Sequence, residues 1–248
     1  MRESFSELRI KKGERAEGLA GKFAEIAFLN LDFLDEFYYY ETVDSTNERA
    51  KEKGKNFCLF FAEEQTAGRG RLGRKWSSSK GGLYFSLSLP AYAVEKLTML
   101  SALAVAESIP NSGIKWPNDV LLHGLKVSGI LGELHGEIAI VGIGVNVENE
   151  IPEELEGYAT NVKRFFKMSR EEVFYRVTRN FHKNYLEMVS GKWKEVFERY
   201  KELCITVGKQ VKVITPFGEI FGVAELSEDG ALIVGEKKVY VGDCIHLR

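Results

Sequence analysis

The stretch EQTAGRGRLGRKW, residues 64–76, constrains this chain more than any other. Gly68, Gly70 and Gly73 interleave with Arg69, Arg71, Arg74 and Lys75, and Trp76 closes the run. Three glycines would cost a helix about 3 kcal/mol relative to alanine, and the polar alternation gives a strand nothing to bury. The stretch is therefore a loop. Its clustered cations repel one another and favour a partner carrying negative charge, while the glycines let backbone amides approach that partner closely. Phosphate is the natural ligand. A solvated turn or an RNA-binding arginine–glycine segment would have the same composition in isolation. The flanks decide: NFCLFFAEEQ before the loop and GGLYFSLSLP after it read as buried strands rich in aromatic and branched residues. A cationic loop held between two core strands is a ligand-closing device.

The charge is local. The chain of 248 residues has a net charge of −2, without the positive balance of a dedicated nucleic-acid binder. With 44% apolar and 28% charged residues it has the composition of a globular protein, large enough for one domain or a domain plus a small module. Cys58, Cys204 and Cys244 are odd in number and far apart, so neither a disulfide framework nor a CxxC pair is expected, which points to a reducing compartment. His123, His135, His182 and His246 sit at no metal-ligand spacing. No apolar run approaches about 18 residues, and MRESFSELRIKKGERAEG lacks a signal-peptide pattern, so no membrane association and a cytoplasmic location are expected.

Taken in order, residues 1–35 read as a frayed leader, with at most one short helix carrying Leu19, Phe23 and Ile26, because Gly13, Gly18 and Gly21 weaken it. EFYYYET is strand-like, and Asp44-Ser45-Thr46-Asn47-Glu48 opens a short helix ending at Gly54, with Ser45 and Glu48 as a capping box. Thr46 and Asn47 exceed that role, placing small hydrogen-bonding groups at a strand end. A helix around Leu97, Leu100, Ala104 and Val105 stops before Pro110. Residues 113–149 read as strands joined by tight turns at Pro117-Asn118-Asp119, His123-Gly124 and His135-Gly136. Helices follow from Ser169, capped by Ser169 and Glu172, and from about Lys192 to Cys204; the rest is short strands, expected to close as a small barrel. The expected organisation is a leader (1–35), a catalytic domain (36–204) and a barrel (205–248).

Three further features exceed what packing needs. Lys115-Trp116-Pro117-Asn118-Asp119 puts a cation, an amide and a carboxylate on one turn, although a type I turn led by Pro117 accounts for it structurally. Lys126 is followed by small residues, which lets its ammonium point along a groove. Gly142 and Gly144 remove side chains from a strand, which suggests close approach of a ligand or of backbone.

The set EEQTAGRGRLGRKW, KWPNDVLL, KVSGILGEL and GIGVNV, with DSTN upstream and GDCIHLR at the end, resembles the biotin protein ligases over roughly residues 36–248. The resemblance implies an α+β fold: a mixed central sheet flanked by helices, of the class II synthetase and biotin/lipoate ligase type, plus a small C-terminal β-barrel. It implies ATP-dependent attachment of biotin to a lysine of a biotin carboxyl carrier protein through biotinyl-5′-AMP. Carried onto this sequence, it implies that Ser45, Thr46 and Gln65 bind the ureido ring, with Gly68, Gly142 and Gly144 in the biotin pocket. Arg69 and Arg71 fold over biotin and the adenylate, Arg74 meets phosphate, and Trp76 faces adenine. Lys126 meets the reacting carboxylate and α-phosphate, which makes Lys126, Arg69 and Arg71 the catalytic set. Lys115, Asn118, Asp119 and Asn146 surround the nucleotide, with Asp119 near Mg²⁺.

Two departures stand out. The first 35 residues are too few for the winged-helix domain of the repressor-type members, so a monofunctional enzyme without DNA binding is expected, while homodimers through the sheet are common in the family. Glu148 replaces the Asn of many relatives. A lipoate- or octanoate-protein ligase shares this architecture and carrier logic, but the Gly-Arg loop with KWPND favours biotin. A nucleic-acid module gripping phosphate through the loop leaves Lys126 and DSTN without a role.

Overall fold

The computed structural model describes residues 5–91 and 94–247. Residues 1–4 of the expected leader and Arg248 of GDCIHLR lie outside the described residues. An eight-stranded sheet forms from β1 (Glu7–Lys11), β2 (Glu36–Val43), β3 (Cys58–Gln65), β4 (Leu83–Pro90), β5 (Ser112–Lys115), β6 (Asp119–Leu122), β7 (Leu125–His135) and β8 (Ile138–Val145). Its order is β1-β2-β3-β4-β8-β7-β6-β5. The sheet is mixed: β2 and β3 run parallel, and the remaining neighbours are antiparallel.

The strands that flank the Gly-Arg loop are central, as their composition predicts. Both faces of β3 are covered, which is why CLFFAEEQ reads as a nearly continuous apolar run. On one face Phe61 stacks on Phe23 with ring centroids 4.3 Å apart, and meets Phe174 edge-on at 5.6 Å. Phe23 belongs to α1 (Gly18–Asn30) and Phe174 to α4 (Arg170–Val189). On the other face Phe60 stacks on Tyr38 at 4.8 Å, in a smaller cluster that includes Ala50 of α2 (Thr46–Lys53). Helices α3 (Val94–Ser108) and α5 (Trp193–Leu203) complete the main core, and Val196 and Tyr200 of α5 are fully buried.

Residues 7–30 of the expected leader hold the one short helix expected there, packed on the body, and a strand that was not expected. β1 pairs antiparallel with β2 from Glu7↔Tyr40 to Lys11↔Glu36, and α1 buries Phe23, Ala24 and Ala27. The glycines that argued against a helix do not interrupt it. Gly13 turns the chain at φ +89° and Gly18 starts the helix at φ +68°, while a Cβ on Gly21 would lie 2.0 Å from the carbonyl oxygen of Ala16. Of the three residues read at helical spacing, Phe23 is buried and Ile26 packs against the core, while Leu19 stays on the outside.

The C-terminal strands β9 (Gln210–Thr215), β10 (Gly218–Leu226), β11 (Leu232–Val234), β12 (Lys237–Val239) and β13 (Asp243–His246) form an antiparallel sheet in the order β12-β11-β10-β9-β13. Among the described residues this sheet is open, with β12 and β13 as its edges, where a closed barrel was expected. Its inward residues Val211, Val213, Ala224, Leu232 and Val234 join the main core. Two indoles hold its 228–230 turn: Trp193 Nε1 donates to the Glu228 carbonyl and Trp116 Nε1 to that of Gly230, both at 2.9 Å. Tryptophan can be buried here because each N–H finds an acceptor.

Candidate active site

The Gly-Arg loop is a closed hairpin. Gln65 N–H donates to Ser78 O at 3.1 Å, Trp76 N–H to Gly68 O at 2.9 Å and Gly70 N–H to Arg74 O at 2.7 Å. The tip is a 3-10 turn over Arg71–Gly73, with Leu72 at φ +54° and 61% exposed. Gly68 serves this closure: a Cβ there would meet Trp76 O at 2.5 Å and Ser78 Oγ at 2.6 Å. It does not line the cavity beneath the loop. That cavity, of about 450 Å³, runs from α2 and the end of β3 past β6, β7 and β8 to β13.

At one end lies a neutral hydrogen-bonding network. Gln65 Oε1 accepts from Thr46 N–H at 2.9 Å, and Gln65 Nε2 donates to Ser78 Oγ at 2.9 Å, which fixes the orientation of the amide. Ser86 Oγ lies 2.7 Å from Thr46 Oγ1 and 2.6 Å from Asn47 Oδ1. Ser45 precedes α2, but its hydroxyl makes no cap bond; Glu48 turns instead to Lys51 and Arg69. The expected capping box is thus absent, and the Ser45 side chain borders the cavity.

The other end is charged. Lys126 Nζ lies 2.7 Å from Asp119 Oδ1 and 5.3 Å from the centroid of the Trp76 ring. Its backbone is clamped by the segment beside it: Lys126 N–H donates to Tyr158 O at 2.8 Å and Lys126 O accepts from Thr160 N–H at 2.9 Å. Asn118 Nδ2 donates to Ile130 O at 2.6 Å, which leaves its Oδ1 facing Arg71 Nη1 at 3.3 Å. Burial draws the Arg71 pKa below its ordinary value, against the pull of Asp119 and Asp243. The turn that presents Asn118 and Asp119 contains a cis Trp116–Pro117 bond. Lys115 lines the same end.

Gly142 and Gly144 make room for side chains. A Cβ on Gly142 would lie 2.3 Å from Asn47 Oδ1, and one on Gly144 would lie 2.5 Å from Trp76 Nε1. The Trp76 indole rests over Gly144 and Gly129, and its buried N–H has no hydrogen-bond partner among the described residues.

Of the residues expected at the site, Ser45, Thr46, Gln65, Arg69, Arg71 and Arg74 border the cavity on the loop side. Trp76, Lys115, Asn118, Asp119, Lys126, Gly142 and Gly144 do so along the sheet. Asn146 does not: it is buried, donating to Thr160 O at 3.2 Å and accepting from Asn149 at 3.1 Å. Glu148 is exposed and its backbone N–H binds Gly81 O. The loop arginines have acidic partners that the sequence reading does not name. Arg69 pairs with Glu48 and Glu133, and Arg74 with Asp243 of β13. These pairs join residues distant in sequence, and only the sheet order brings them together.

The model of the biotin/lipoate A/B protein ligase family matches residues 39–148. The bifunctional ligase/repressor BirA of Bacillus subtilis is 32% identical over 266 residues, covering 94% of this chain and 82% of the relative. The biotin–[acetyl-CoA-carboxylase] ligase of Mycobacterium tuberculosis is 31% identical, covering 77% of this chain and 79% of the relative. Among solved structures, the biotin protein ligase from Aquifex aeolicus in complex with biotin and ATP superposes with a TM-score of 0.76 at 36% identity, covering 86% of this chain and 98% of that one. At that identity and coverage, and on the same fold, the chain belongs to the biotin/lipoate A/B protein ligase family.

Proposed function

We propose that the chain is a biotin–[biotin carboxyl carrier protein] ligase, which activates biotin with ATP and transfers it to a carrier lysine. One observation carries this reading: a single cavity joins a neutral donor–acceptor network at Thr46 and Gln65 to a charged end at Lys126, Asp119 and Arg71. Biotin is mostly apolar with one urea-like head and one carboxylate, and needs fixed polar groups at one end and a reaction centre at the other. The neighbour solved with biotin and ATP supports the assignment.

In the first step a carboxylate oxygen of biotin attacks the α-phosphorus of ATP, and the bond to the bridging oxygen breaks, releasing pyrophosphate. Both reactants are anions, so preorganised positive charge where they meet is the largest catalytic contribution the chain can make. Lys126 and Arg71 supply it. The Lys126–Asp119 pair is partly solvated, and pairs of that kind hold by only about 0–1 kcal/mol, so an incoming phosphate can take over the ammonium. In the second step the carrier amine attacks the acyl carbonyl of biotinyl-AMP, AMP leaves, and a proton passes to solvent. Until the carrier docks, the loop hairpin and the Trp76 indole keep water from the anhydride.

Asp119 presents a carboxylate, 26% exposed, to the cavity beside Asn118. Mg²⁺ is commonly held by one or two carboxylates together with substrate phosphates, and this donor set fits it. Bound there, Mg²⁺ would neutralise triphosphate charge. A cytoplasmic setting is consistent with three free, buried cysteines, and among the described residues no helix is long and apolar enough to cross a membrane.

Mass spectrometry of the protein incubated with MgATP and biotin, with octanoate and lipoate as parallel acids, tests the reading. A biotinyl-AMP mass with biotin alone supports it. An adenylate formed only from octanoate or lipoate moves the chain to the other branch of its family.

A further inference from the structure

Glu133 lies in the KVSGILGEL segment without a role of its own, yet three side chains meet around its carboxylate. On β7 it follows Gly129 and Leu131 at two-residue spacing, so all three lie on the face that borders the cavity. Oε2 accepts from Asn47 Nδ2 at 2.7 Å and Oε1 from Lys51 Nζ at 2.8 Å. Arg69 Nη2, from the Gly-Arg loop, reaches both oxygens at 3.3 Å and also contacts Glu48. Asn47 in turn continues through Ser86 to Thr46 and Gln65. One carboxylate thus touches both the Gly-Arg loop and the hydrogen-bonded network at the far end of the site.

We propose that Glu133 is a positioning residue that registers the Gly-Arg loop against the floor of the acid-binding end, holding Arg69 and Asn47 through the two oxygens of one carboxylate. The inference rests on the ligase reading and adds a residue to it. Glu133 touches neither reacting group. Its effect runs through Arg69, and it sets how long the loop stays closed over the acyl-adenylate. Burial raises the carboxyl's pKa, but Lys51, Asn47 and Arg69 together bring it below the ordinary carboxylate value, so the charge is present at neutral pH. The side chain is 23% exposed, so the contact with Arg69 is protected from full solvent screening.

Two readouts test this, one of which does not depend on catalysis. In Glu133→Gln the amide oxygen still accepts from Asn47, but the carboxylate charge beside Arg69 is gone and Glu48 is left as its acidic partner. With biotin and MgATP present, trypsin should cut the loop after Arg69, Arg71, Arg74 or Lys75 about tenfold faster than in the wild type, the scale of losing one partly buried ion pair. The half-life of enzyme-held biotinyl-AMP should fall by about the same factor, while the KM for biotin moves by about twofold or less, because the Thr46–Gln65 network is intact. Lys51→Met, which removes the other cation on Glu133, should leave loop cleavage within about twofold of wild type.

The double variant Glu133→Gln/Lys51→Met also removes the ammonium that loses one of its two carboxylates, Glu48 being the other, and should show the same loop opening, which keeps the test valid if the single variant folds poorly. Wild-type cleavage rate and adenylate half-life in a folded Glu133→Gln protein would overturn the proposal, as would a Lys51→Met protein that reproduces the Glu133→Gln effects. Failure of the wild type to form any adenylate would instead reject the ligase reading.

Discussion

Gly144 is the seat of Trp76: a Cβ added to the glycine would lie 2.5 Å from the indole nitrogen. The glycine of GIGVNV therefore does for a side chain what the sequence reading expected it to do for a ligand. A methyl group at this position moves the ring, and the ring is the roof beside Lys126.

Gly144→Ala should raise the KM for ATP and slow adenylate formation while the protein stays folded. Overpacking of this kind costs about 1–3 kcal/mol, which corresponds to roughly 5- to 150-fold in the combined constant. Pyrophosphate release measured across ATP concentrations checks it, and unchanged kinetics would show that the indole has room to move aside.

Lys126→Ala removes the one ammonium paired with Asp119 in the cavity. Adenylate formation should fall by about a hundredfold or more, the scale of deleting one preorganised charge, with the melting temperature almost unchanged because the side chain is partly exposed. Near-normal pyrophosphate release would reject the role assigned to Lys126.

Arg71 reaches from the loop tip to Asn118 at 3.3 Å. Replacing it by glycine should loosen the tip and let biotinyl-AMP escape, so that lysines of bystander proteins become biotinylated. A streptavidin blot of the variant mixed with albumin and carrier reads this out; labelling confined to the carrier contradicts it.

The β1–β2 edge should show a pH signature. Burial raises the Glu36 carboxyl's pKa, but hydrogen bonds from Arg9 and Tyr38 outweigh it and hold the group at about 2, below its ordinary 4.5. A depressed carboxyl stabilises the fold above about pH 4.5, and this contribution is lost as pH falls towards about 2. Glu36→Gln should therefore lower the melting temperature at pH 7 by roughly 2–4 °C, for about 1 kcal/mol. The gap to wild type should close between those two pH values in a calorimetric series.

Motifs of local chemistry were legible in the sequence. The loop between two core strands, the strands and the tight turn at His123-Gly124 within residues 113–149, and the Ser169 half of its capping box, which accepts from Glu172 N–H, appear as read. What failed was pairing at a distance. β1 carries charged side chains and looks like a tail until β2 supplies its hydrogen bonds. Ser45 and Glu48 have the spacing of a capping box, but Arg69 and Lys51 offer Glu48 a cation where the cap offers only a backbone amide. Glu133 and Asp243 stand in stretches the sequence singles out, but their pairing has no local signal, because each meets an arginine on a loop more than about sixty residues away.

The parallel register that sets Val43 beside Gln65 brings the ends of β2 and β3 out at one edge, so that Thr46 and Gln65 touch. The polar groups proposed to choose the acid are thus gathered mainly on one strand–helix–strand unit, residues 43–65, while Asp119 and Lys126, proposed to meet the phosphates, sit on β6 and β7 across the cavity. An engineer seeking to change which acid is activated can redraw that short unit as a cartridge and leave the nucleotide half of the machine alone.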